Sequence, residues 1–328
     1  MRRTGSERRS VAAVALLLLG AQLGCQRVSG PYPSREIALV VQASPGGLSD
    51  TVSRVMASLV EEDLGVPVVC ENRPGASGAL AFSFVTRRPP DGYTLGHGPV
   101  EIAMVRALGY ADVGPDDMSL ICLVSSVAPV LVVREGSRWA SFEAFVAEGR
   151  REPGALIIAN SGVGSIWHFN TLLLEKHTGM RVTHLPYGGS SPGLVALLGG
   201  HVDAAIAGVS EVISHVQAGS LRPLLVFAEE RPAVLPDTPT SYELGYPMAA
   251  PAWSGFYGPG GIPGDVRVTL ERAFRAASES ERWAKLCRER GVEPLFLGRE
   301  AFEAFAEEQA AFFAAEIPSL VRLTGAAE

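Results

Sequence analysis

Apolar positions along this chain switch between short continuous runs and a spacing of three to four residues, and each switch falls on a cluster of glycine, serine or proline. Ile37 to Val41 is a continuous strand-type run that breaks at Ser44-Pro45-Gly46-Gly47. Ser49 and Asp50 then stand as helix caps ahead of Val52, Val55, Met56, Leu59 and Val60 at helical spacing. Residues 66–70 read as a second strand, Pro74-Gly75-Ala76-Ser77-Gly78 as a second small-residue loop, residues 79–87 as a helix and residues 93–95 as a third strand. The pattern predicts a βαβαβ unit.

The same order recurs further along. After a helix over residues 141–152, the run 156–159 leads into Ser161-Gly162-Val163-Gly164-Ser165 and a helix carrying Phe169, Leu172 and Leu173. Residues 182–185 lead into Tyr187-Gly188-Gly189-Ser190-Ser191, a helix over 192–198 and a strand over 202–206. Two such halves, each with glycine and serine at strand carboxyl ends, place helix N-termini and backbone N–H groups around a shared crevice that suits an anion. Near the carboxyl end, residues 301–315 carry Phe302, Phe305, Phe312 and Phe313 and read as a helix packed on the core.

The amino end has a different pattern. Arg2, Arg3, Arg8 and Arg9 precede a continuous apolar run over residues 11–20, which has the n-region and h-region of an export signal and is too short to span a bilayer. Residues 1–25 are therefore expected to be an export signal and not part of the fold. Cys25 after Gly24 resembles the acylated cysteine of bacterial lipoproteins, although Gln22 and Leu23 depart from that pattern. A lipid anchor at Cys25 and a signal removed near it both stay open, whereas Val11 and Ala12 fit a twin-arginine signal poorly. Export permits disulfides, but Cys70 and Cys122 lie in apolar strand-like runs where a thiol is usually a small buried hydrophobe; pairing among Cys70, Cys122 and Cys287 stays undecided.

Composition narrows the function. At 328 residues, with 47% hydrophobic and 19% charged residues, the chain has material for about two packed domains. Its net charge is −7; removing residues 1–25 takes away a net +3 and leaves −10. Lysine and arginine are scattered, so the basic footprint of a nucleic-acid binder is missing.

Gly46, Gly47, Gly162 and Gly164 would let a ligand approach the backbone, and Ser44, Ser49, Ser161, Ser165 and Ser190 add neutral donors, so a carboxylate could be held in an uncharged pocket. There is no Gly-Lys-Ser/Thr phosphate loop, and Trp167 stands where a dinucleotide fingerprint needs its third glycine. Gly189-Ser190-Ser191-Pro192-Gly193 matches a nucleophile elbow around Ser191, but Pro192 has no N–H for the oxyanion, which disfavours a serine hydrolase. The six histidines show no metal-type spacing, so neither a metal nor a cofactor is expected. His168, in the first turn after the Ser161 loop, is either a ligand contact or a polar residue satisfied within its own domain.

The segments 44–50, Glu71-Asn72-Arg73-Pro74-Gly75-Ala76-Ser77-Gly78 and Pro90-Asp91-Gly92-Tyr93-Thr94-Leu95 resemble those of the tripartite tricarboxylate transporter substrate-binding family, the Bug or TctC-type receptors. Further matches run collinearly through residues 161–168, 184–190, 197–203, Leu235-Pro236-Asp237-Thr238-Pro239-Thr240 and Trp253-Ser254-Gly255, covering about residues 32 to 325. The resemblance implies an α/β, type II periplasmic-binding-protein fold in which two domains close on a small carboxylate. Relatives take di- and tricarboxylates, acidic amino acids or aromatic acids and pass them to a two-subunit membrane permease. It implies a periplasmic, monomeric receptor without enzymatic activity, touching the membrane only through a lipid anchor at Cys25. A receptor signalling to a membrane sensor kinase is the alternative.

Domain one is expected over residues 32–128 and 252–328, and domain two over 129–251. By matching positions, Ser44, Pro45, Gly46, Gly47, Ser49, Asp50, Ser77 and Gly78 would contact ligand from the first domain. Ser161, Gly162, Val163, Gly164, Ser165, His168, Tyr187, Gly188, Gly189, Ser190, Ala207 and Gly208 would do so from the second. Ala207-Gly208 replaces the Asp followed by a polar residue found in many relatives. On that basis the ligand is expected to lack an amino group, because its ammonium would find no counter-charge there.

Overall fold

In the computed structural model, residues 31–323 are described; the export signal and Cys25 lie outside them. The chain divides into two units, residues 1–34 and 35–328. The described part of the first, residues 31–34, has no helix or strand, and the second carries the fold.

Strand β1 (Ile37–Val41), helix α1 (Leu48–Leu64), β2 (Val68–Asn72), α2 (Ala79–Thr86) and β3 (Thr94–Pro99) form the first unit read from the pattern. Helix α1 turns Val52, Met56, Leu59 and Val60 inward, and Gly65, at φ 69°, ends it in the left-handed conformation. Its N-cap is Gly47, with no capping side chain, so neither Ser49 nor Asp50 caps it: both lie inside the first turn. Strand β1 pairs in parallel with β2 (Ile37 opposite Val68) and β3 (Leu39 opposite Leu95), giving the local order β2-β1-β3.

The second unit repeats this arrangement. Strands β6 (Ile157–Asn160), β7 (Thr183–Pro186) and β8 (Ala204–Gly208) alternate with α4 (Ile166–Thr178) and α5 (Ser190–Leu198), after α3 (Phe142–Arg151). The parallel order β7-β6-β8 matches β2-β1-β3 place for place. The repeat in sequence is thus a repeat in topology, with helix N-termini gathered at strand carboxyl ends as crossover sterics require.

Antiparallel strands extend both sheets. Strand β4 (Met118–Val127) passes directly into β5 (Pro129–Arg134); after α6 (Val209–Gln217) come β9 (Leu221–Val226) and β10 (Ala252–Pro259). Helices α7 (Gly264–Ser278) and α8 (Glu281–Arg290), strand β11 (Glu293–Gly298) and α9 (Arg299–Leu323) complete the chain. One sheet has the order β11-β4-β10-β3-β1-β2 and the other β7-β6-β8-β5-β9, so the chain crosses between sheets after β4 and again before β10. We call each sheet with its helices a lobe.

Helix α9 runs past the 301–315 limit expected from its phenylalanines, through Pro318. Phe302 stands edge-on to Trp253 at 5.6 Å and Phe313 edge-on to Phe169 at 5.0 Å, so the helix packs against both lobes. The first contact requires Gly255: a Cβ there would lie 2.4 Å from Phe302 Cζ and 2.8 Å from the Cys122 carbonyl. Cys70, Cys122 and Cys287 are all free.

Candidate functional site

The small-residue loops converge on a cleft of about 630 Å³ between the lobes. From the first lobe, Ser44, Pro45, Gly47 and Ser49 line it together with Ser77 and Gly78. From the second come Ser161, Gly162, Val163 and Ser165, and facing them Tyr187, Gly188, Gly189 and Ser190. The loop after β2 is held in a sparsely populated conformation, with Ala76 at φ 48° and Ser77 at φ 49° although neither is glycine. Gly78, at φ 92°, cannot be replaced without conflict, since a Cβ would meet Phe82 Cζ at 2.4 Å. This conformation lets the Ser77 hydroxyl donate across the cleft to the Val163 carbonyl at 2.9 Å.

Other expected contacts stand behind the wall. Gly46 lines a smaller neighbouring cavity of about 100 Å³. Asp50 is nearly buried and accepts from the Gly46 N–H, Arg54 and Asn72, at 3.0, 2.9 and 2.9 Å. Burial by itself would push its carboxyl up, but those hydrogen bonds outweigh it and hold Asp50 below the usual carboxylate range. Its role is to brace the loop.

His168 likewise turns away from the cleft: its Nδ1 accepts the Gly164 N–H at 3.2 Å, and its ring packs edge-on to His184 at 5.0 Å. Burial, with His184 nearby, pulls its pKa down to about 4, so the ring is a neutral acceptor that fixes the Ser161–Ser165 turn. Behind it, buried Glu175 accepts from the Val182 N–H and pairs with His184. Gly164 itself faces Tyr110 and Leu108. Ala207 is buried within β8, and Gly208 ends that strand as the N-cap of α6; neither lines the cleft. The strand starts at Ala204, two residues later than the 202–206 limits, since Asp203 before it turns to accept the Ile157 N–H at 2.9 Å, and it ends two residues later, at Gly208.

The pocket is not uncharged. Glu101, on the short turn after β3, and Glu211, in the first turn of α6, both line it, while no lysine, arginine or histidine does. Glu101 Oε1 accepts the Ile166 N–H at the start of α4 in the opposite lobe, at 3.1 Å. Glu211 Oε2 accepts the Gly208 N–H at 3.0 Å, and the nearby Ser190 hydroxyl and Leu48 N–H favour its charged form. Burial pushes both carboxyls above their ordinary range; the hydrogen bonds to Ile166 and Gly208 work against it, and Glu211 adds repulsion at Glu101. The absence of an ammonium counter-charge near Ala207-Gly208 is therefore overturned, since Glu211 bonds the Gly208 N–H itself. Glycine has no side chain to cap α6, so the Glu211 bond to the Gly208 N–H is only the reciprocal half of a capping box, and a lone Glu three residues after a glycine is the faint signal the sequence offers for it. Trp253 and Ser254 on β10, within a quoted motif, also line the cleft, as does Gln42.

Ser191 opens α5 beside Pro192, with no histidine hydrogen-bonded to its hydroxyl among the described residues, so the nucleophile-elbow pattern has no base to activate it. No group of three or more metal-ligating side chains occurs among the described residues, and no helix there is long and apolar enough to cross a membrane.

This architecture matches the model of the tripartite tricarboxylate transporter family receptor over residues 52–318. The chain belongs to that receptor family. Protein BugT of Bordetella pertussis is 30% identical over 325 residues, covering 97% of this chain and 98% of its own. Among solved structures, Rpa4515 of R. palustris with adipate superimposes with TM-score 0.80 at 28% identity, covering 90% of this receptor and 98% of that chain. MatC of Rhodopseudomonas palustris with bound malate gives TM-score 0.80 at 25% identity, covering 87% and 99%. The receptor thus shares its two-sheet α/β fold with two proteins whose solved structures hold malate and adipate.

Proposed function

We propose that this receptor is exported, captures a small carboxylate in the cleft between its lobes, and delivers it to the two-subunit permease of a tripartite tricarboxylate-type transporter. The observation that carries this reading is the cleft: glycine and serine turns at the N-termini of α1, α4 and α5 meet across one cavity, where neutral hydroxyls, N–H groups and helix dipoles favour an anion. The bound malate and adipate of its structural relatives support the carboxylate class. In this reading residues 32–128 with 252–328 form one closing domain and 129–251 the other, with the two crossovers as hinges. The receptor works in the periplasm as a monomer, either free or anchored by a lipid on Cys25, and binds without turnover.

The test is a thermal-shift screen of the exported receptor against mono-, di- and tricarboxylates, aromatic acids and amino acids. A ligand present at ten times its Kd adds about 1.4 kcal/mol, a rise in Tm of about 3 °C for a chain of this size. The bound acid should be recovered unchanged. No rise with any acid would reject the reading.

A further inference from the structure

Among the described residues, Glu101 and Glu211 line a cleft that no Lys, Arg or His lines; Arg290 lines the smaller neighbouring cavity that Glu211 also lines, and Glu101 is fastened across the cleft. Glu101 of the first lobe accepts the Ile166 N–H of the second, while Glu211 of the second lobe accepts the Gly208 N–H within its own lobe, with the Leu48 N–H of the first lobe near enough to favour its charged form. Glu101 therefore already occupies the N–H at the start of α4 that a ligand carboxylate would otherwise use. A ligand carboxylate is left the serine hydroxyls and the glycine turns at residues 161–165 and 187–191. A second carboxylate on the same ligand would have to settle within this one cavity, near Glu101 and Glu211, with no Lys, Arg or His lining it. A hydroxyl, amide or ammonium there would instead find acceptors waiting.

We propose that Glu101 and Glu211 select ligands by charge, so that this receptor takes an acid with one carboxylate whose other end donates hydrogen bonds to the pair. This rests on the carboxylate-receptor reading above and narrows it. It also gives Glu101 a second task, because the carboxylate that faces the cleft ties the lobes together through the Ile166 N–H.

Calorimetry on the intact receptor with isosteric pairs tests it: succinate, malate and adipate, each against its own monoamide, with 6-aminohexanoate beside adipate and benzoate for the aromatic class. The monoamide should bind at least tenfold tighter than the matching dianion. Glu101→Gln and Glu211→Gln keep an oxygen for the backbone N–H groups and remove the charge; together they should cut that preference at least tenfold, with the melting temperature checked for folding. The wild-type ratio needs no variant, and it alone overturns the proposal if the dianion binds as tightly as the monoamide or if every acid that binds carries two or more carboxylates. A ratio unmoved in folded variants also overturns it. Binding of no acid at all would reject the receptor reading, and the charge rule with it.

Discussion

Asp50→Ala is expected to cost the receptor about 3 kcal/mol of stability and to weaken ligand binding about tenfold, although Asp50 does not line the cleft. Its side chain is the hub of a small buried network. Oδ2 receives the Gly46 N–H, while Oδ1 receives Arg54 and the Asn72 amide; Asn72 in turn donates to the Ala43 carbonyl at 2.9 Å and accepts from Arg54 at 2.8 Å. The network therefore grips the loop at residues 43 and 46, on either side of Ser44 and Pro45, which do line the cleft. Truncation leaves the Gly46 N–H without its acceptor and the Asn72 amide with only the Ala43 carbonyl, while half-exposed Arg54 keeps Asn72 and otherwise turns to water. Asp50→Asn, which keeps the shape and loses the charge, should cost about half as much. Urea unfolding reads the stability and calorimetry the affinity. Unchanged affinity in Asp50→Ala would show that the loop holds its shape unaided. The stabilisation also has a definite pH window. Because the folded carboxyl lies below its ordinary value, its contribution is present above that value and is lost as pH falls through the folded one.

Asp50 also marks how far the sequence could be read. The glycine-serine turns, the helices after them and the repeated βαβαβ order were legible because each is a local pattern of a few residues, and the cleft those turns build follows from topology. The side-chain roles within the turns were not, because a carboxylate in the first turn of a helix reads alike whether it meets ligand or braces a neighbouring loop. What decides for Asp50 is Asn72, on a strand 22 residues away. Glu101 and Glu211 escaped notice for the same reason. Each is a lone acid among buried apolar neighbours, Glu101 between Val100 and Ile102 and Glu211 ahead of Val212, and Glu101 gains its partner only when the opposite lobe arrives, Ile166 being 65 residues away. The long antiparallel pairing of β10 with β4 lay beyond local pattern too, since Trp253 faces Ser126 across more than a third of the chain. The Trp253-Ser254-Gly255 motif carried only the family resemblance, and the structure supplies its physical content: Trp253 and Ser254 reach the cleft, while Gly255 admits the Phe302 ring.

His97→Gln is expected to remove about 3 kcal/mol of the stability that the wild-type receptor loses between pH 7.5 and pH 4.5. His97 is fully buried on β3, with its Nδ1 3.0 Å from Gln42 Oε1 and its ring edge-on to Phe256 at 5.6 Å. Burial pulls its pKa down to about 3. The Gln42 amide nitrogen donates to Ser49 Oγ at 2.8 Å, which turns the Gln42 oxygen toward His97 and places the histidine proton on Nδ1. Nε2 is left bare, buried and without a partner, so a second proton there would be a charge with nothing to meet it. The unfolded chain takes up that proton near pH 6.5 and the native one only near pH 3, so the stability His97 contributes is complete above the unfolded value and drains away as pH falls between the two. His168 adds a smaller loss in the same direction and the raised carboxyls of Glu101 and Glu211 oppose it, but all three are present in both proteins and cancel in the comparison. A difference below about 1 kcal/mol would mean that native His97 does ionise by pH 4.5. The neutral ring matters to the cleft as well: by holding Gln42 in one orientation it orients the Ser49 hydroxyl, so loss of ligand affinity in His97→Gln would trace to a residue that never touches the ligand.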